Sequence, residues 1–176
     1  MTLDQLNKIM PYARSRAGIF LAPLNAAMAE FGIDTQARQA SFLSQIGQES
    51  GQLQFTRELA SGAAYDTGAL AKRLGNTPEA DGDGQRWKGH GLIQITGLAN
   101  HIACALYFGI PLDRIAAWLE TPEGACRSAA WFWKTHGLNE LADAGNQVLV
   151  TRRVNGGENG LAGRLALFAA AVRVLA

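Results

Sequence analysis

The chain has little charge and no long apolar run. Only 18% of its 176 residues are Asp, Glu, Lys or Arg, and 16 basic residues against 15 acidic ones leave a formal net charge of +1. Such a balance provides no electrostatic attraction to nucleic acid or to an anionic surface. No stretch approaches the roughly 20 apolar residues that a membrane span requires. We therefore expect neither a nucleic-acid partner nor membrane insertion.

Cysteine and histidine are also scarce. The two cysteines, Cys104 and Cys126, lie in apolar helical contexts, so they are predicted to be free, buried thiols. Two isolated cysteines fit neither a disulfide framework nor a zinc site. The three histidines, His90, His101 and His136, do not have the spacing of metal ligands. No metal and no other cofactor is predicted.

The composition that is present is typical of one globular domain. Apolar residues make up 48% of the chain, and its length of 176 residues is enough for a sizeable core. There are no internal repeats, no low-complexity runs and no composition shift that would mark a linker. We therefore expect a single domain over residues 1–176 without a separate binding module. Nothing in the sequence suggests an obligate oligomer, so a monomer is expected.

Apolar residues recur at helical spacing through most of the chain, which predicts an all-α fold. Thr35 and Gly51 are the predicted N-cap and terminal glycine of a helix over residues 35–50. Thr121-Pro122-Glu123 is a start signal for another helix, and the WFW run at 131–133 predicts that this helix is central. Leu161 to Leu175 is predicted as the last helix. An earlier apolar stripe, ended by Gly32, consists of Leu24, Ala27, Met28 and Phe31.

Helical periodicity fails between about residues 55 and 92, where Gly, Asn, Asp and Pro cluster. Long ordered segments of this kind are usually functional in compact domains. At its end, LIQIT (Leu92 to Thr96) is the best candidate for a short extended strand. Gln94 and Thr96 would then share one face and form a polar edge toward a cleft. The alternative is a hairpin-like turn in which these polar residues are incidental.

Two glutamates stand among small or apolar neighbours, Glu49 in QIGQESGQL and Glu58 in TRELASG. Glu49 projects from an apolar stripe in the last turn of its helix, and both features disfavour the charged carboxylate, as a general acid requires. Glu58 lies beside Arg57 in a polar loop and is expected to stay ionised, as a general base must. Such opposed carboxylates are typical of acid/base glycoside cleavage. The alternatives are a solvated helix-end glutamate and a surface salt bridge to Arg57.

Several motifs follow one another in a single register from about residue 20 to the C-terminus. They are FLSQIGQESG, the TREL glutamate, RLGN, GDG-RWKGHGLIQITG-AN, RSAAWFW, and RVNGGENG ahead of a last helix that carries an arginine. In this order the chain resembles the family 19 glycoside hydrolases, and more closely their compact phage-type endolysins than the plant chitinases. The resemblance implies a lysozyme-like, multi-helix all-α domain with a substrate cleft beside the long irregular segment.

The resemblance also implies roles for individual residues. Glu49 is implied to be the general acid, Glu58 the general base of an inverting mechanism, and Thr96 a residue that helps to hold the attacking water. Further residues are implied to bind substrate or to support the cleft: Gln94, Asn100, Trp87, Arg127, Asn155 and Arg164. Trp87 would stack on a sugar ring, with a core position beneath the loop as the alternative.

The chain departs from the family pattern at two positions. Gln48 stands where the family usually has His, and His90 stands where it usually has Arg. Both changes affect how the acid is positioned and how the cleft is charged. The segment between Glu58 and Leu74 is also short, so any lid or auxiliary lobe must be minimal.

The implied function is hydrolysis of the β-1,4 glycan backbone of peptidoglycan without a cofactor. A chitinase acting on N-acetylglucosamine polymers is the first alternative, because both polymers share this backbone. A catalytically silent glycan-binding protein is the second. The start of the chain, MTLDQLNKIMPYAR, is polar and unlike a secretory signal. We therefore expect synthesis in the cytoplasm and action on the bacterial cell wall after release through a separate pore.

Overall fold

The computed structural model describes residues 1–176 and consists of helices without a β-strand. Two short 3₁₀ helices, at Pro11–Ala13 and Ala63–Tyr65, accompany the α-helices. The eleven α-helices are α1 (Leu3–Ile9), α2 (Arg16–Glu30), α3 (Gln36–Glu49), α4 (Gly68–Leu74), α5 (Asp83–Arg86), α6 (Leu98–Phe108), α7 (Leu112–Glu120), α8 (Pro122–Thr135), α9 (Leu138–Asp143), α10 (Gln147–Asn155) and α11 (Leu161–Val174). The predicted all-α class is confirmed.

Local capping signals define the helices that position the site. The Thr35 hydroxyl accepts a hydrogen bond from the Arg38 amide at the start of α3, and Gly51 follows its end with a φ of +57°. The Thr121 hydroxyl accepts from the Gly124 amide at 3.0 Å at the start of α8. These contacts satisfy backbone groups that a helix end leaves without partners. Both predicted helix starts are therefore confirmed.

Helix α8 lies at the centre of the core, between α2, α3, α7 and α9. Its Trp133 is fully buried and meets Phe42 of α3 edge to face, with ring centroids 5.4 Å apart. The indole N–H donates to Asn139 at 2.9 Å, so this buried polar group has its partner. Truncation of a buried aromatic of this size costs about 3–5 kcal/mol. The central position predicted for this helix is confirmed.

The segment between residues 55 and 92 is less irregular than predicted. It contains the 3₁₀ turn at Ala63–Tyr65 and the short helices α4 and α5. These elements begin at glycines or at a threonine without a side-chain cap, and they are too short to show helical periodicity. Sequence periodicity could not detect them for this reason.

LIQIT is not a strand. Residues 91–94 form a turn between His90 and Ile95, which pair with each other as an isolated antiparallel bridge. Gln94 has a φ of +60°, a left-handed conformation that an extended strand cannot contain. The prediction that alternation places Gln94 and Thr96 on one face is therefore wrong, and the hairpin-like alternative describes the backbone.

Both cysteines are free and buried, as predicted. Burial raises the pKa of the Cys104 thiol in α6 to about 12 and also raises that of Cys126 in α8. Thiols held in this form are poor nucleophiles.

No single helix is both long enough and apolar enough to cross a membrane. Helices α6 and α7 meet that test only when they are taken together, and they are bent by 88° where they join.

Candidate active site

Three chain segments meet beside the cleft in a small antiparallel arrangement. Arg57 pairs with His90, and His90 pairs in turn with Ile95. The His90 amide donates to the Ile95 carbonyl at 3.0 Å, and the Ile95 amide donates to the His90 carbonyl at 2.8 Å. Antiparallel segments run in opposite directions, so the residues next to these pairs, 58, 89 and 96, also lie side by side and form a row across the three segments. This register places Glu58 and Thr96 on either side of Gly89.

The backbone of Gly89 makes two hydrogen bonds with Glu58. Its amide donates to Oε2 of Glu58 at 2.9 Å, while its carbonyl accepts from the Glu58 amide at 2.8 Å. A Cβ at residue 89 would lie 2.5 Å from Oε1 of Gln94. Since such a contact is too short, only glycine fits here without displacing the Gln94 side chain.

Glu58 is held by donors to both of its oxygens. The Tyr65 hydroxyl donates to Oε1 at 3.0 Å, and the Gly89 amide occupies Oε2. Burial, together with the hydrogen bond to Glu58 and its negative charge, raises the pKa of Tyr65, so the phenol remains a donor. Arg57 instead pairs with Glu120, with 3.7 Å between Nε and Oε1. The alternative of a salt bridge between Glu58 and Arg57 is therefore wrong.

Glu49 is the last residue of α3 and ion-pairs with Arg164 of α11. The guanidinium Nη2 donates to Oε1 of Glu49 at 2.5 Å. The Arg164 side chain is 3% exposed and that of Glu49 is 22% exposed. The expectation that the surroundings of Glu49 only disfavour its charge is wrong, because the Arg164 guanidinium pairs with it from 115 residues further along the chain.

Arg164 is itself anchored by buried polar groups. Its Nη1 donates to Gln45 at 2.6 Å, and the Gln45 amide donates to Thr151 of α10 at 3.3 Å. The carbonyl of Asn159 accepts from both Arg164 and Asn155. The buried Arg164 therefore supports Glu49 from within the protein, whereas the half-buried Asn155 bonds the same Asn159 carbonyl nearer the surface. Neither makes a contact that points to direct substrate binding.

A cleft of about 190 Å³ lies between the turn at residues 91–96 and helices α8 and α10. Three predicted site residues, Gln94, Thr96 and Asn100, line it together. Seven others complete the lining: Leu74, Ile93, Ile95, Trp131, Phe132, His136 and Val154. The structure thus brings the LIQIT polar residues to the cleft by a turn rather than by strand alternation.

Each of these three polar side chains already uses one donor. The Thr96 hydroxyl donates to the carbonyl of Gln94 at 2.9 Å, the Asn100 amide to that of Thr96 at 2.7 Å, and the Gln94 amide to that of Gly91 at 2.9 Å. Their side-chain oxygens remain available as acceptors, and Gln94 and Asn100 each keep a second N–H. A water molecule or a sugar hydroxyl that binds here can donate to the three oxygens.

Trp87 does not reach the cleft surface. It is 3% exposed, its ring lies between His101 and the Arg86 guanidinium, and its indole N–H donates to Asp83 at 3.1 Å. Because these neighbours cover the ring, it has no free face for a sugar. Stacking on substrate is therefore wrong for Trp87, and the alternative of a core position beneath the loop is what the structure shows.

Arg127 does not lie among the cleft-lining residues. Its guanidinium ion-pairs with Glu30 at 2.8 Å and Glu123 at 3.5 Å, and it lies 4.9 Å from the centroid of the Phe108 ring. These contacts join α2 to α8. Arg127 therefore links these two helices, and substrate binding by this residue stays a prediction.

Sequence reasoning missed two residues that contact the site. Tyr65 follows Glu58 by seven residues in a segment without periodicity, so nothing indicated that the chain returns there. Gln45 lies on the buried face of α3, and its burial, which only the structure shows, requires a partner for its amide.

The two departures from the family pattern occupy different environments. Gln48 lies against the start of α11, where a Cβ on Gly163 would come within 2.2 Å of its Oε1. His90 is buried, with Nδ1 3.0 Å from Nε2 of His101 and Nε2 3.5 Å from Glu120. Across the chain, no group of three or more His, Cys, Asp or Glu side chains is placed to hold a metal ion.

His90 is expected to make the stability of the fold sensitive to acid. Burial, followed by the neighbouring charges of His101, Arg57 and Lys88, lowers its pKa to about 4. In the unfolded chain the pKa is about 6.5, so the unfolded state takes up the proton first as pH falls. The stabilisation is fully present above pH 6.5 and is lost as pH approaches 4.

Between pH 7 and pH 4.5 this one group is expected to remove about 2–3 kcal/mol from the free energy of unfolding. Urea unfolding at the two pH values measures the loss. The His90→Asn variant carries every other titrating group and should lose correspondingly less. Equal losses for the two proteins would show that His90 is not the group responsible.

Comparison with known proteins identifies the family. No family model matches the chain. It is 33% identical over 192 residues to a glycosyl hydrolase family 19 domain-containing protein of Haemophilus influenzae, covering 93% of this chain and 92% of that protein. The chain therefore belongs to glycoside hydrolase family 19, and it is a glycoside hydrolase with an all-α, lysozyme-like fold.

Two further known proteins are more distantly similar to the chain. An endochitinase of Arabidopsis thaliana is 32% identical over 143 residues, which is 79% of this chain but 46% of the plant protein. The chain thus spans about half the length of that relative. The crystal structure of chitinase C from Streptomyces griseus superposes with a TM-score of 0.75 at 17% identity, covering 99% of this chain and 76% of that one.

Proposed function

We propose that the protein cleaves the β-1,4 bonds between the amino sugars of peptidoglycan by an inverting mechanism, with Glu49 as general acid and Glu58 as general base. The observation that carries this proposal is the setting of Glu58. Its two oxygens are fixed by Tyr65 and Gly89, and it shares a row with Thr96 at the edge of the cleft. A carboxylate held in this way beside free acceptors suits the activation of water.

Glu49 supplies the proton for the leaving sugar. Arg164 occupies its Oε1, so Oε2 is the oxygen left to carry the proton and to give it to the glycosidic oxygen. The bond between the anomeric carbon and that oxygen breaks, and its electron pair stays with the protonated leaving sugar. The anchors of Arg164, which are Gln45 in α3 and the Asn159 carbonyl ahead of α11, keep the acid in one orientation during this step.

Glu58 and Thr96 orient the attacking water. The water donates one hydrogen to Glu58 and the other to the free acceptor on the Thr96 hydroxyl, so a lone pair is directed at the anomeric carbon. As the new C–O bond forms on the face opposite the leaving group, Glu58 takes the proton. Proton exchange with solvent then restores the charged base and the protonated acid.

Substitutions at Thr96 separate a water-holding role from simple packing. Thr96→Ser retains the hydroxyl and should retain most activity, whereas Thr96→Val retains the shape and should lose about 10- to 150-fold in kcat. This range corresponds to one hydrogen bond to a reacting group, worth roughly 1.5–3 kcal/mol. Both variants are compared at matched folded fraction. An active Val variant beside a weak Ser variant would assign Thr96 to packing alone.

The proposal of peptidoglycan as substrate is supported by the shortness of the segment that follows Glu58. Between Glu58 and the end of α4, the chain builds only one 3₁₀ turn and a helix of seven residues. A groove without a larger lobe leaves room for the peptide stems of a cell-wall glycan. Because peptidoglycan lies outside the cytoplasmic membrane, the proposal includes release of the protein through a separate pore or lysis system.

Chitin is the second candidate substrate. It is supported by the likeness to an Arabidopsis endochitinase and to Streptomyces chitinase C. Chitin has the same β-1,4 backbone without peptide stems, so the residues around the reacting bond would act in the same way. Only the outer cleft would distinguish the two polymers.

One paired assay tests the substrate. The protein is added to outer-membrane-permeabilised Gram-negative cells, whose turbidity is followed, and in parallel to a soluble chitin oligomer at equal enzyme concentration. Faster turbidity loss with little oligomer cleavage is the expected result. The opposite preference would make chitin the substrate. Binding to either glycan without turnover would identify a catalytically silent glycan-binding protein.

A further inference from the structure

Two buried histidines form a pair that the proposed mechanism does not use. His90 is 3% exposed and His101 of α6 is fully inaccessible. Nδ1 of His90 lies 3.0 Å from Nε2 of His101, and the rings meet edge to face. The Trp87 ring covers His101 from another side. A side-chain hydrogen bond in such dry surroundings fixes both rings strongly, because water cannot replace either partner.

The contacts determine where the protons of this pair lie. Nδ1 of His101 is 2.8 Å from the carbonyl of Gly97, which can only accept, so this nitrogen carries a proton. In the neutral ring Nε2 of His101 is then an acceptor. Nδ1 of His90 must therefore carry the proton that joins the two rings. Burial lowers the pKa of both histidines, consistent with neutral rings.

The backbone of His90 transmits this constraint to the proposed base. His90 lies in the middle of the three bridged segments and directly follows Gly89. The amide of Gly89 donates to Glu58, and the row continues to Thr96. The peptide between residues 89 and 90 carries the Gly89 carbonyl, which accepts from the Glu58 amide at 2.8 Å, so a rotation of this peptide would shift Gly89 relative to Glu58.

We propose that the His90–His101 pair is a positioning device for the general base: the bond from His90 Nδ1 to His101 holds the Gly89 amide on Glu58. The inference depends on the proposed function of Glu58. On its other side, Nε2 of His90 faces Glu120, whose carboxylate also pairs with Arg57. Lys88 is directed to the carbonyl of Ala60. His101 lies 3.0 Å from Nδ1 of His90, and the backbone of Lys88 is a second hydrogen-bond partner of the ring.

Two substitutions at residue 90 distinguish the two ring nitrogens. In His90→Asn the amide nitrogen replaces Nδ1 and can still donate to His101. In His90→Gln the amide nitrogen replaces Nε2, so an N–H donor faces Glu120 in place of the unprotonated nitrogen, and the contact with His101 is lost. Per folded molecule, we expect His90→Gln to lower kcat by about 2- to 12-fold, the effect of one neutral hydrogen bond, with KM little changed. His90→Asn should retain more of the kcat.

Stability is separated from positioning by a matched control. Ile33→Val shortens a fully buried side chain away from the cleft and is expected to lower stability without changing kcat. If His90→Gln behaves like this control, the pair is structural and the proposal is overturned. The proposal is equally overturned if His90→Asn retains no more activity than His90→Gln.

A measurement without turnover keeps this inference apart from the substrate proposal. Nitrogen-15 NMR reports which nitrogen of each imidazole is protonated and the shift of the Gly89 amide. Protons on Nδ1 of both rings, and a Gly89 amide that moves in His90→Gln but much less in His90→Asn, are the expected results. Other tautomers or an unmoved amide overturn the inference. A protein inactive on every glycan but with these NMR results would refute only the proposed function.

Discussion

Replacement of Glu49 by glutamine is expected to lower kcat by about 10² to 10⁴, toward the upper end for a poor leaving group such as a sugar alkoxide. The amide can still accept the Arg164 hydrogen bond at Oε1, but it has no proton to give to the glycosidic oxygen. Because Arg164 is 3% exposed, the weaker partner should also lower stability, by roughly 1–3 kcal/mol. Steady-state rates on the preferred glycan measure the effect on catalysis.

Glu79→Gln is the matched control for this experiment. Glu79 is an exposed carboxylate in the turn before α5, outside the cleft lining, so the same chemical change there should leave kcat unaltered. Circular dichroism and thermal unfolding confirm that both variants are folded at the assay temperature. If folded Glu49→Gln protein lyses cells at nearly the wild-type rate, Glu49 is not the acid.

Glu58→Gln is expected to reduce kcat by a similar factor, about 10² to 10⁴, because an amide cannot accept the proton of the attacking water. The site tolerates the amide well. Its oxygen can accept from the Gly89 amide, and its nitrogen can donate to the Tyr65 oxygen once that hydroxyl rotates. The fold should therefore be preserved while the base is lost.

Azide rescue makes the Glu58 result more specific. A small anionic nucleophile needs no base, so azide should restore part of the rate to Glu58→Gln and release a glycosyl azide of the α configuration. It should not rescue Glu49→Gln to the same degree, because that variant still lacks the acid. Full activity of Glu58→Gln without azide would remove Glu58 from the mechanism.

Local signals account for the parts of the fold that the sequence predicted. The caps at Thr35 and Thr121 depend on contacts within three residues, and the last helix ends within one residue of the predicted boundary. The pattern of LIQIT was too short to decide between a strand and a turn. Nothing in five residues indicates that Gln94 takes a positive φ, because this conformation depends on how His90 and Ile95 pair.

The geometry of the candidate site depends on contacts between residues that are far apart in the sequence. Arg164 is 115 residues from Glu49, and Gly89 is 31 residues from Glu58, so neither contact has a local signature. Aromatic composition could not determine whether Trp87 faces the cleft or the core. Gln94, Thr96 and Asn100, to which the family resemblance assigns roles in the site, line one cleft together. The resemblance could not reveal the His90–His101 pair, because His90 departs from the family pattern.

The anomeric configuration of the first product tests the central claim most directly. A soluble β-linked oligosaccharide is hydrolysed in an NMR tube, and the new reducing ends are followed before mutarotation equilibrates them. Glu49 and Glu58 acting in a single displacement predict that the first ends are α-anomers, because water attacks the face opposite the leaving sugar. Initial β-anomers would show a double displacement through a covalent or substrate-assisted intermediate, and would contradict the role assigned to Glu58.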